Sequence, residues 1–147
     1  MQIINIKDKL NYLKEYVKLC YLEWSNKEKP LTEYIDYKID NIKSGDKVIS
    51  ILGLVNDEEL IGFISLFKYD GDEHKDLTPW YATMYVKKEY RGKGYSKLLD
   101  QAIIKEAKRL GYDKVYLKSD LINYYEKFGA KRMEKLKNGE ILYYIDL

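Results

Sequence analysis

The chain has 147 residues, a length that predicts one domain with a core large enough to fold unaided. Its 26 basic and 24 acidic side chains give a net charge of +2, which argues against a general nucleic-acid-binding protein. The single cysteine, Cys20, excludes an intrachain disulfide. It falls among the apolar positions of a helical pattern, where a buried and unreactive thiol is expected.

No apolar run approaches the ~20 residues that a membrane-spanning helix needs, and the N-terminus lacks the apolar stretch of a signal peptide. We therefore expect a cytoplasmic protein that does not enter the membrane. No group of Cys, His and Asp residues has the spacing of metal ligands, so no metal is expected.

The N-terminal part of the chain predicts two amphipathic helices, because apolar residues recur there every three or four positions. The predicted elements are a short strand at Gln2 to Ile6, a helix from Asp8 (a plausible N-cap) to Trp24, a break at Asn26 to Pro30, and a second helix from near Thr32 to Ser44-Gly45.

The middle of the chain predicts an antiparallel hairpin followed by a third strand. Val48 to Val55 and Leu60 to Phe67 are β-rich runs that a short polar segment joins. Residues 69 to 78 form a polar loop, and Trp80 to Val86 is the next strand.

The C-terminal part predicts a helix, a strand, a short helix and a hairpin. These elements are a helix from Leu98 to Leu110 with Gly111 at its end, a strand at Val115 to Leu117, a short helix at Leu121 to Phe128, and strands at Arg132 to Lys137 and Glu140 to Ile145 joined by a type I′ turn at Asn138-Gly139.

A strand, loop, helix and strand in succession require a right-handed crossover and a parallel pair. The strands at Trp80 and Val115 are therefore predicted to be parallel, while the hairpins on either side are antiparallel. This order predicts a mixed sheet in an α/β (α+β) fold with helices on both faces.

The stretch Arg91-Gly92-Lys93-Gly94-Tyr95-Ser96 follows a strand and opens a helix. Such a loop presents several backbone N–H groups at a helix N-terminus, whose dipole favours anions. Gly92 and Gly94 allow positive φ and the close approach of a ligand, and Arg91 and Lys93 add positive charge. The loop therefore predicts a phosphate site, although its spacing is neither that of a P-loop nor that of a dinucleotide-binding fold.

The pattern Arg91-x-x-Gly94-x-Ser96 resembles the Arg/Gln-x-x-Gly-x-Gly/Ala loop of the GNAT N-acetyltransferase superfamily, which holds the pyrophosphate of acetyl-CoA. The run from Leu77-Thr78-Pro79-Trp80 to Val86 looks like the acetyl-CoA strand of a bacterial branch of that family. Residues 124 to 130, Tyr-Tyr-Glu-Lys-Phe-Gly-Ala, are similar to its Tyr-Glu-Lys-x-Gly-Phe segment. Ser96 and Ala130 depart from the pattern, and we expect both to be tolerated.

The resemblance implies one GNAT-like domain over residues 1 to 147, with a mostly antiparallel sheet and a central, splayed parallel pair. Splayed strands leave unpaired backbone groups, which the pantetheine arm of acetyl-CoA can satisfy. The residues expected to bind acetyl-CoA are Met84, Tyr85, Val86, Arg91, Gly92, Lys93, Gly94, Tyr95, Ser96 and Ser119.

The resemblance also implies acetyl transfer from acetyl-CoA to a primary amine, by direct attack in a ternary complex. It makes Tyr125 the general acid for the departing thiolate and the backbone N–H of Tyr85 the oxyanion donor. Tyr124 is the rival of Tyr125, but adjacent helical residues point about 100° apart, so one of the two is expected to face the sulfur.

The acceptor side is less defined by the sequence. Glu23, Trp24, Asp76 and Trp80 are its candidate residues, with Trp24 also fitting a core position. The general base is left open among His74, Asp76, Glu23, Asp120 and a bound water, and His74 in a polar loop fits a solvated histidine better. Small polyamines, aminoglycoside-like amines and protein N-termini or lysines are all possible acceptors, and the protein is expected to be a monomer or a homodimer.

Two alternatives compete with the enzyme. A non-catalytic acyl-CoA-binding module, acting as a sensor or scaffold, would share the glycine loop and lack turnover. A nucleic-acid surface built from Lys87, Lys88, Arg91 and Lys93 is disfavoured, because Glu89 interrupts it and a phosphate site explains the loop better.

Overall fold

The computed structural model describes residues 1–71 and 73–147. In that part of the chain the elements are β1 (Gln2–Asn5), α1 (Leu10–Trp24), α2 (Leu31–Ser44), β2 (Val48–Asn56), β3 (Glu59–Phe67), β4 (Trp80–Val86), α3 (Tyr95–Arg109), β5 (Lys114–Ser119), β6 (Lys131–Lys135) and β7 (Ile141–Asp146), with short 3₁₀ helices at Lys88–Tyr90 and Tyr125–Phe128.

The seven strands form one mixed sheet in the order β1-β2-β3-β4-β5-β7-β6. The β4–β5 pair is parallel, and the other neighbouring strands are antiparallel. Because α3 connects β4 to β5, the parallel pair lies where the strand–loop–helix–strand pattern predicted it. The single α/β domain and its mixed sheet are therefore confirmed.

The helices lie on both faces of the sheet and divide the core in two. On one face, α1 and α2 contribute Leu13, Val17, Ile39 and Ile42 to a cluster with β2 and β3. On the other face, α3 contributes Leu99, Ile103 and Ala107. With both faces covered, β3 is buried at every position except Glu59, as a central strand with a continuous apolar sequence should be.

Two predicted helix ends are wrong. The first helix begins at Leu10 with Lys9 at its N-cap, so Asp8 does not cap it. The predicted helix from Leu121 is helical only at Tyr125–Phe128. Asn123 has φ +60°, a left-handed conformation that does not continue a right-handed helix, and the Leu121 N–H donates to Ser119 Oγ at 3.0 Å.

The last hairpin also turns differently from the prediction. A type I′ turn needs positive φ at both central residues, but only Gly139 of the pair has it, with φ +92°. The Gly139 N–H donates to the Leu136 carbonyl at 3.0 Å, and the Leu136 N–H donates to the Glu140 carbonyl at 2.7 Å. This is the pattern of a three-residue loop in which a type I turn is followed by a glycine bulge.

None of the helices in the described ranges has the length and apolar character needed to cross a membrane.

A carboxylate lies inside the core between α3 and the sheet. Asp100 is 2% exposed and lies near the hydroxyl of Tyr81. Asp100 Oδ1 and Tyr81 Oη are both buried, and neither has a hydrogen-bond partner among the described residues. Burial raises the pKa of Asp100 to about 6, and the Tyr81 hydroxyl opposes this only in part. The charged form of Asp100 therefore costs folding free energy at neutral pH.

Replacing Asp100 with Asn should stabilise the protein at neutral pH and have little effect below about pH 4. In the folded protein the pKa of Asp100 is about 6, above the ordinary value of 3.8. At low pH the carboxyl group is therefore protonated in both the folded and the unfolded protein. As the pH rises through these two pKa values, the wild-type protein loses up to about 3 kcal/mol of its free energy of unfolding. Denaturant unfolding of wild type and Asp100→Asn should give a difference that grows from about pH 4 to 6 and then levels off. A difference independent of pH would contradict the burial of this charge.

Candidate active site

The site begins where β4 and β5 separate. Trp80 and Tyr116 form the one registered pair between them within the described residues, and the Tyr116 N–H donates to the Pro79 carbonyl at 2.9 Å. Beyond that pair the two strands diverge. The space between them has a volume of about 370 Å³ and is called here the groove. Its lining includes Ala82, Met84, Leu117, Lys118 and Tyr125.

A β-bulge in β4 accompanies the separation. The β3–β4 register changes between Phe63↔Tyr85 and Ser65↔Ala82, so Thr83 and Met84 lie opposite a single residue of β3, Ile64. Thr83 has φ +49°, a conformation that is rare for a β-branched residue and is stable only where its surroundings impose it. The bulge bends β4 and leaves part of its backbone unpaired on the side of β5.

Three hydroxyl groups hold the bulge. Tyr16 Oη of α1 lies 2.8 Å from Ser65 Oγ of β3 and 3.2 Å from Thr83 Oγ1. Thr83 Oγ1 also donates to Ser65 Oγ. Burial raises the pKa of Tyr16 well above its ordinary value, so its hydroxyl is neutral at physiological pH. These contacts fix the strained residue between one helix and the neighbouring strand.

The glycine loop lies at the other end of β4 and provides free backbone donors. Gly92 and Gly94 have φ +79° and +82°, and Gly94 is the N-cap of α3. Within the described residues, the N–H groups from Gly92 to Lys97 donate to no protein acceptor. A Cβ atom added at either glycine would meet nothing within 4 Å. The loop is thus an open set of N–H donors at a helix N-terminus, which suits an anion such as pyrophosphate.

Arg91 connects the loop to the end of β4. Its Nε donates to the Val86 carbonyl at 2.8 Å, and its guanidinium carbon lies 5.4 Å from the centre of the Tyr85 ring. Lys93 remains beside the loop, with Nζ 5.7 Å from the Tyr90 ring. Lys87 is paired elsewhere, since its Nζ lies 2.8 Å from Glu15 Oε2. Arg91 and Lys93 therefore supply the positive charge at the loop.

The register of β4 decides which of its backbone groups are free. The Lys87 N–H donates to the Ile61 carbonyl at 2.9 Å, and in an antiparallel ladder alternate residues bond to the same neighbour. Tyr85, paired with Phe63, therefore uses its N–H in the ladder with β3. This register favours a donor other than the Tyr85 N–H that the resemblance implies. The N–H groups of Val86 and Met84 alternate toward β5 instead.

Tyr124 and Tyr125 line two different spaces, and Met84 borders both of them. Their rings pack edge to face at 4.8 Å. Tyr125 lines the groove. Tyr124 lines a space of about 300 Å³ at the glycine loop, called here the loop cleft, which Met84 also borders. The two tyrosines thus line adjacent spaces from neighbouring positions in the chain.

The environment of Tyr125 keeps its hydroxyl protonated. Burial raises the pKa of Tyr125 to about 12, and the nearby Tyr124, Asp100 and Asp120 add to the effect. The ring packs edge to face on Tyr81 at a centroid distance of 5.8 Å. At physiological pH this hydroxyl is neutral and able to donate a hydrogen bond into the groove.

A third space lies between α1, α2 and the sheet. This helix cavity has a volume of about 500 Å³ and is lined in part by Tyr16, Cys20, Tyr34, Lys38, Lys47 and Thr83. It meets the groove at Trp24, Phe67, Asp70 and Thr83, which line both. The loop cleft, the groove and the helix cavity are therefore adjacent spaces that share lining residues and follow one another from the glycine loop to the space beneath α1 and α2; we call this succession the path.

Trp24 stands at the junction of all three spaces. It is 51% exposed, and its ring lies 6.2 Å from that of Tyr85. The alternative that Trp24 is a core residue is therefore wrong. Glu23, beside it, lines the loop cleft. Cys20 lines the helix cavity, and burial raises the pKa of its thiol to about 12.

Other predicted site residues lie away from this path. Trp80 is 1% exposed, and its Nε1 donates to the Leu77 carbonyl at 2.8 Å, so its side chain belongs to the core. Ser119 is buried, and its Oγ accepts the Leu121 N–H described above. Asp76 is exposed in the loop before β4.

Of two further candidates for the general base, one pairs away from the site and the other lies near Tyr125. His74 Nε2 is 3.0 Å from Glu134 Oε1, so the histidine pairs with β6. Asp120 is exposed just after β5. Within the described ranges, no three His, Cys, Asp or Glu side chains lie together as a metal site would require.

The fold adds Asp70 and Lys118, which the sequence did not single out. Lys118 Nζ donates to the Asp70 carbonyl at 3.0 Å and lies 3.9 Å from Asp70 Oδ2. Asp70 belongs to a polar loop and Lys118 to β5, 48 residues apart. No local pattern connects the two, and only the assembled sheet brings them to the junction.

Comparison with solved structures supports the same architecture. An aminoglycoside 6′-N-acetyltransferase complexed with coenzyme A superposes with a TM-score of 0.75 at 19% identity, covering 99% of this chain and 97% of that one. PaiA N-acetyltransferase from Thermoplasma acidophilum, in complex with coenzyme A, has a TM-score of 0.63 at 22% identity, with all of both chains covered. The aminoglycoside 6′-N-acetyltransferase from Enterococcus faecium has a TM-score of 0.71 at 17% identity, with 99% of this chain and 97% of that one covered.

No curated protein matches the chain. The sequence model of the acetyltransferase (GNAT) family matches residues 11–130, which span β4, the glycine loop and both tyrosines. Since that match covers most of the 147 residues, the chain belongs to the GNAT acetyltransferase family.

Proposed function

We propose that this protein transfers the acetyl group of acetyl-CoA to a primary amine held in the helix cavity. The observation that carries the proposal is the succession of adjacent spaces from the unpaired N–H groups of the glycine loop, along the splayed edge of β4, to a separate cavity under α1 and α2. Two similar structures contain coenzyme A, which supports the choice of cosubstrate.

The residues along the path suit the successive parts of that cosubstrate. The N–H groups from Gly92 to Ser96, with Arg91 and Lys93, would hold the pyrophosphate. The peptide-like pantetheine arm would bond to the backbone of β4 on its free side, at Val86 and Met84. Bound acetyl-CoA supplies the activated acetyl group as a thioester, so a direct attack by an amine yields an amide and free thiol.

The oxyanion donor follows from the strand register. Charge that develops on the acetyl oxygen needs an N–H group that is already oriented toward it. We assign this donor to Met84, because its N–H alternates toward β5 and its residue borders both the loop cleft and the groove. The bulge at Thr83 fixes that orientation before any ligand arrives.

Tyr125 is assigned to the departing sulfur. Burial raises the pKa of Tyr125 to about 12, so the hydroxyl keeps its proton at physiological pH and can act as a donor. The hydroxyl therefore stabilises the thiolate by donating a hydrogen bond, and the proton lost by the attacking amine neutralises the sulfur later.

The direct test is a screen of amines with purified protein and acetyl-CoA, read by release of free thiol. Turnover of any primary amine supports the enzyme. Binding of acetyl-CoA without turnover of any amine would favour the alternative, a non-catalytic acyl-CoA-binding sensor or scaffold.

Replacing Gly94 with Val should weaken coenzyme A binding by about 5- to 150-fold. A β-branched residue at φ +82° costs on the order of 1–3 kcal/mol, and this strain moves the loop away from its competent conformation. Isothermal titration calorimetry with coenzyme A measures the loss. Gly111→Val is the matched control, because Gly111 has φ +92° and equally open surroundings at the other end of α3. Equal affinities in the two folded variants would refute the role of the loop.

Replacing Tyr125 with Phe should lower kcat by about 10- to 100-fold and leave coenzyme A affinity nearly unchanged. The change removes one hydroxyl and keeps the ring contacts with Tyr81 and Tyr124. Tyr124→Phe, on the neighbouring position, should retain nearly full turnover. If both variants kept wild-type kcat, the thiolate would be stabilised by another group. If Tyr124→Phe alone lost activity, the assignment of the two tyrosines would be reversed.

A further inference from the structure

The helix cavity has a distribution of charge that its role as an amine site alone does not explain. Lys38 of α2 and Lys47, just before β2, line this cavity and not the groove. Both are half-buried. Among the described residues, neither has an acidic partner within ion-pair distance.

Aromatic rings are the groups that these two ammonium ions contact. Lys38 Nζ lies 5.6 Å from the centre of the Tyr34 ring. Lys47 Nζ lies 5.0 Å from the Phe67 ring and 5.9 Å from the Tyr69 ring. A ring face attracts a cation more weakly than a carboxylate does. Both lysines therefore keep most of their capacity to bind an anion.

Of the two acidic residues that line the cavity, only Asp46 has a close lysine partner among the described residues. Asp46 Oδ2 lies 3.1 Å from Lys68 Nζ. Asp70 has Lys118 beside it, mainly on its backbone carbonyl. The lining therefore has two ammonium groups without a close carboxylate partner, those of Lys38 and Lys47, and one weakly paired carboxylate, that of Asp70.

The charges also differ along the path. Asp70 lines both the helix cavity and the groove, so it lies at the end where an amine would meet the thioester. Lys38 and Lys47 line the cavity and do not line the groove. A ligand that extends from the groove into this space meets the Asp70 carboxylate at the border and the two ammonium groups inside the cavity.

We infer that the acceptor is a small amine that carries its own anionic group, a carboxylate or phosphate, as an amino acid does. The inference rests on the proposed function and specifies the substrate class. Its amine lies at the Asp70 end, and its anion binds Lys38 and Lys47. Molecules with several ammonium groups, such as polyamines and aminoglycosides, would place further positive charge against these lysines and are disfavoured. A cavity of about 500 Å³ suits a small molecule.

The test compares amines that differ only in the anion. Tyrosine and tyramine, lysine and cadaverine, arginine and agmatine, and phosphoethanolamine and ethanolamine are such pairs. With acetyl-CoA and thiol detection, the anionic member of at least one pair should have a kcat/KM about 10-fold or more above its twin, a difference of about 1.4 kcal/mol. Equal or higher kcat/KM for every twin that lacks the anionic group would overturn the inference and leave the proposed function intact.

Substitutions of the two lysines test whether the preference for an anionic acceptor arises in the helix cavity. Lys38→Met and Lys47→Met should lower kcat/KM for the anionic acceptor by about 10-fold and change that of its twin little. Lys38→Arg should retain the preference, because it retains the charge. Lys43→Met is the control for net charge, since Lys43 is an exposed residue of the same helix. Unchanged coenzyme A affinity confirms that each variant is folded, and a preference that survives both Met variants would refute the role of these lysines.

If no amine of the panel releases thiol, binding decides the question separately. The same pairs are then titrated by calorimetry into the protein saturated with coenzyme A. Selective binding of an anionic member would uphold the inference while the proposed acetyl transfer fails. Absence of binding by all anionic members, or equal binding of the twins, would overturn it.

Discussion

The site depends on one local distortion, the bulge in β4 that the hydroxyls of Tyr16, Ser65 and Thr83 hold in place. Without it, β4 and β5 could continue as an ordinary parallel pair, and the ladder would consume the backbone groups that now face the groove. A β-branched residue at φ +49° does not adopt that conformation by its own preference. The surrounding contacts must therefore supply the free energy that maintains the strain.

The bulge also links the three spaces of the site. Thr83 lines both the groove and the helix cavity, and Met84, the next residue, lines both the groove and the loop cleft. Tyr16 belongs to α1, the helix that forms one wall of the cavity and ends at Trp24. A change in the packing of α1 would therefore be transmitted to the strand that would bind the cosubstrate, through hydroxyl contacts of about 3 Å.

Much of this fold could be predicted from the sequence because its elements have strong local signals. The continuous apolar runs of β2 and β3 and the glycines at 92 and 94 predicted the central sheet and the loop before any contact was known. Features that depend on one backbone angle were missed, as at Asn123, whose left-handed conformation ended a predicted helix. Predicting which way the Tyr85 N–H points would have required the register of β3 and β4, and the sequence of a single segment does not contain that register.

Side chains that meet only in the assembled protein were the least accessible to prediction. Asp70 and Lys118 belong to segments with no shared pattern, and Lys38 looked like one more polar position on an amphipathic helix.

The same limit applies to the buried carboxylate of Asp100, which appeared as an unremarkable charge in α3. The structure places it under Tyr81, whose ring contacts Tyr125, the residue assigned to the sulfur. Its negative charge disfavours ionisation of Tyr125 and so helps to keep the phenol a donor. The charge of Asp100 destabilises the fold above about pH 6, but it also keeps the Tyr125 hydroxyl protonated, as the proposed chemistry requires. Burial is the common cause, because the apolar surroundings that penalise the carboxylate also strengthen its effect on the tyrosine.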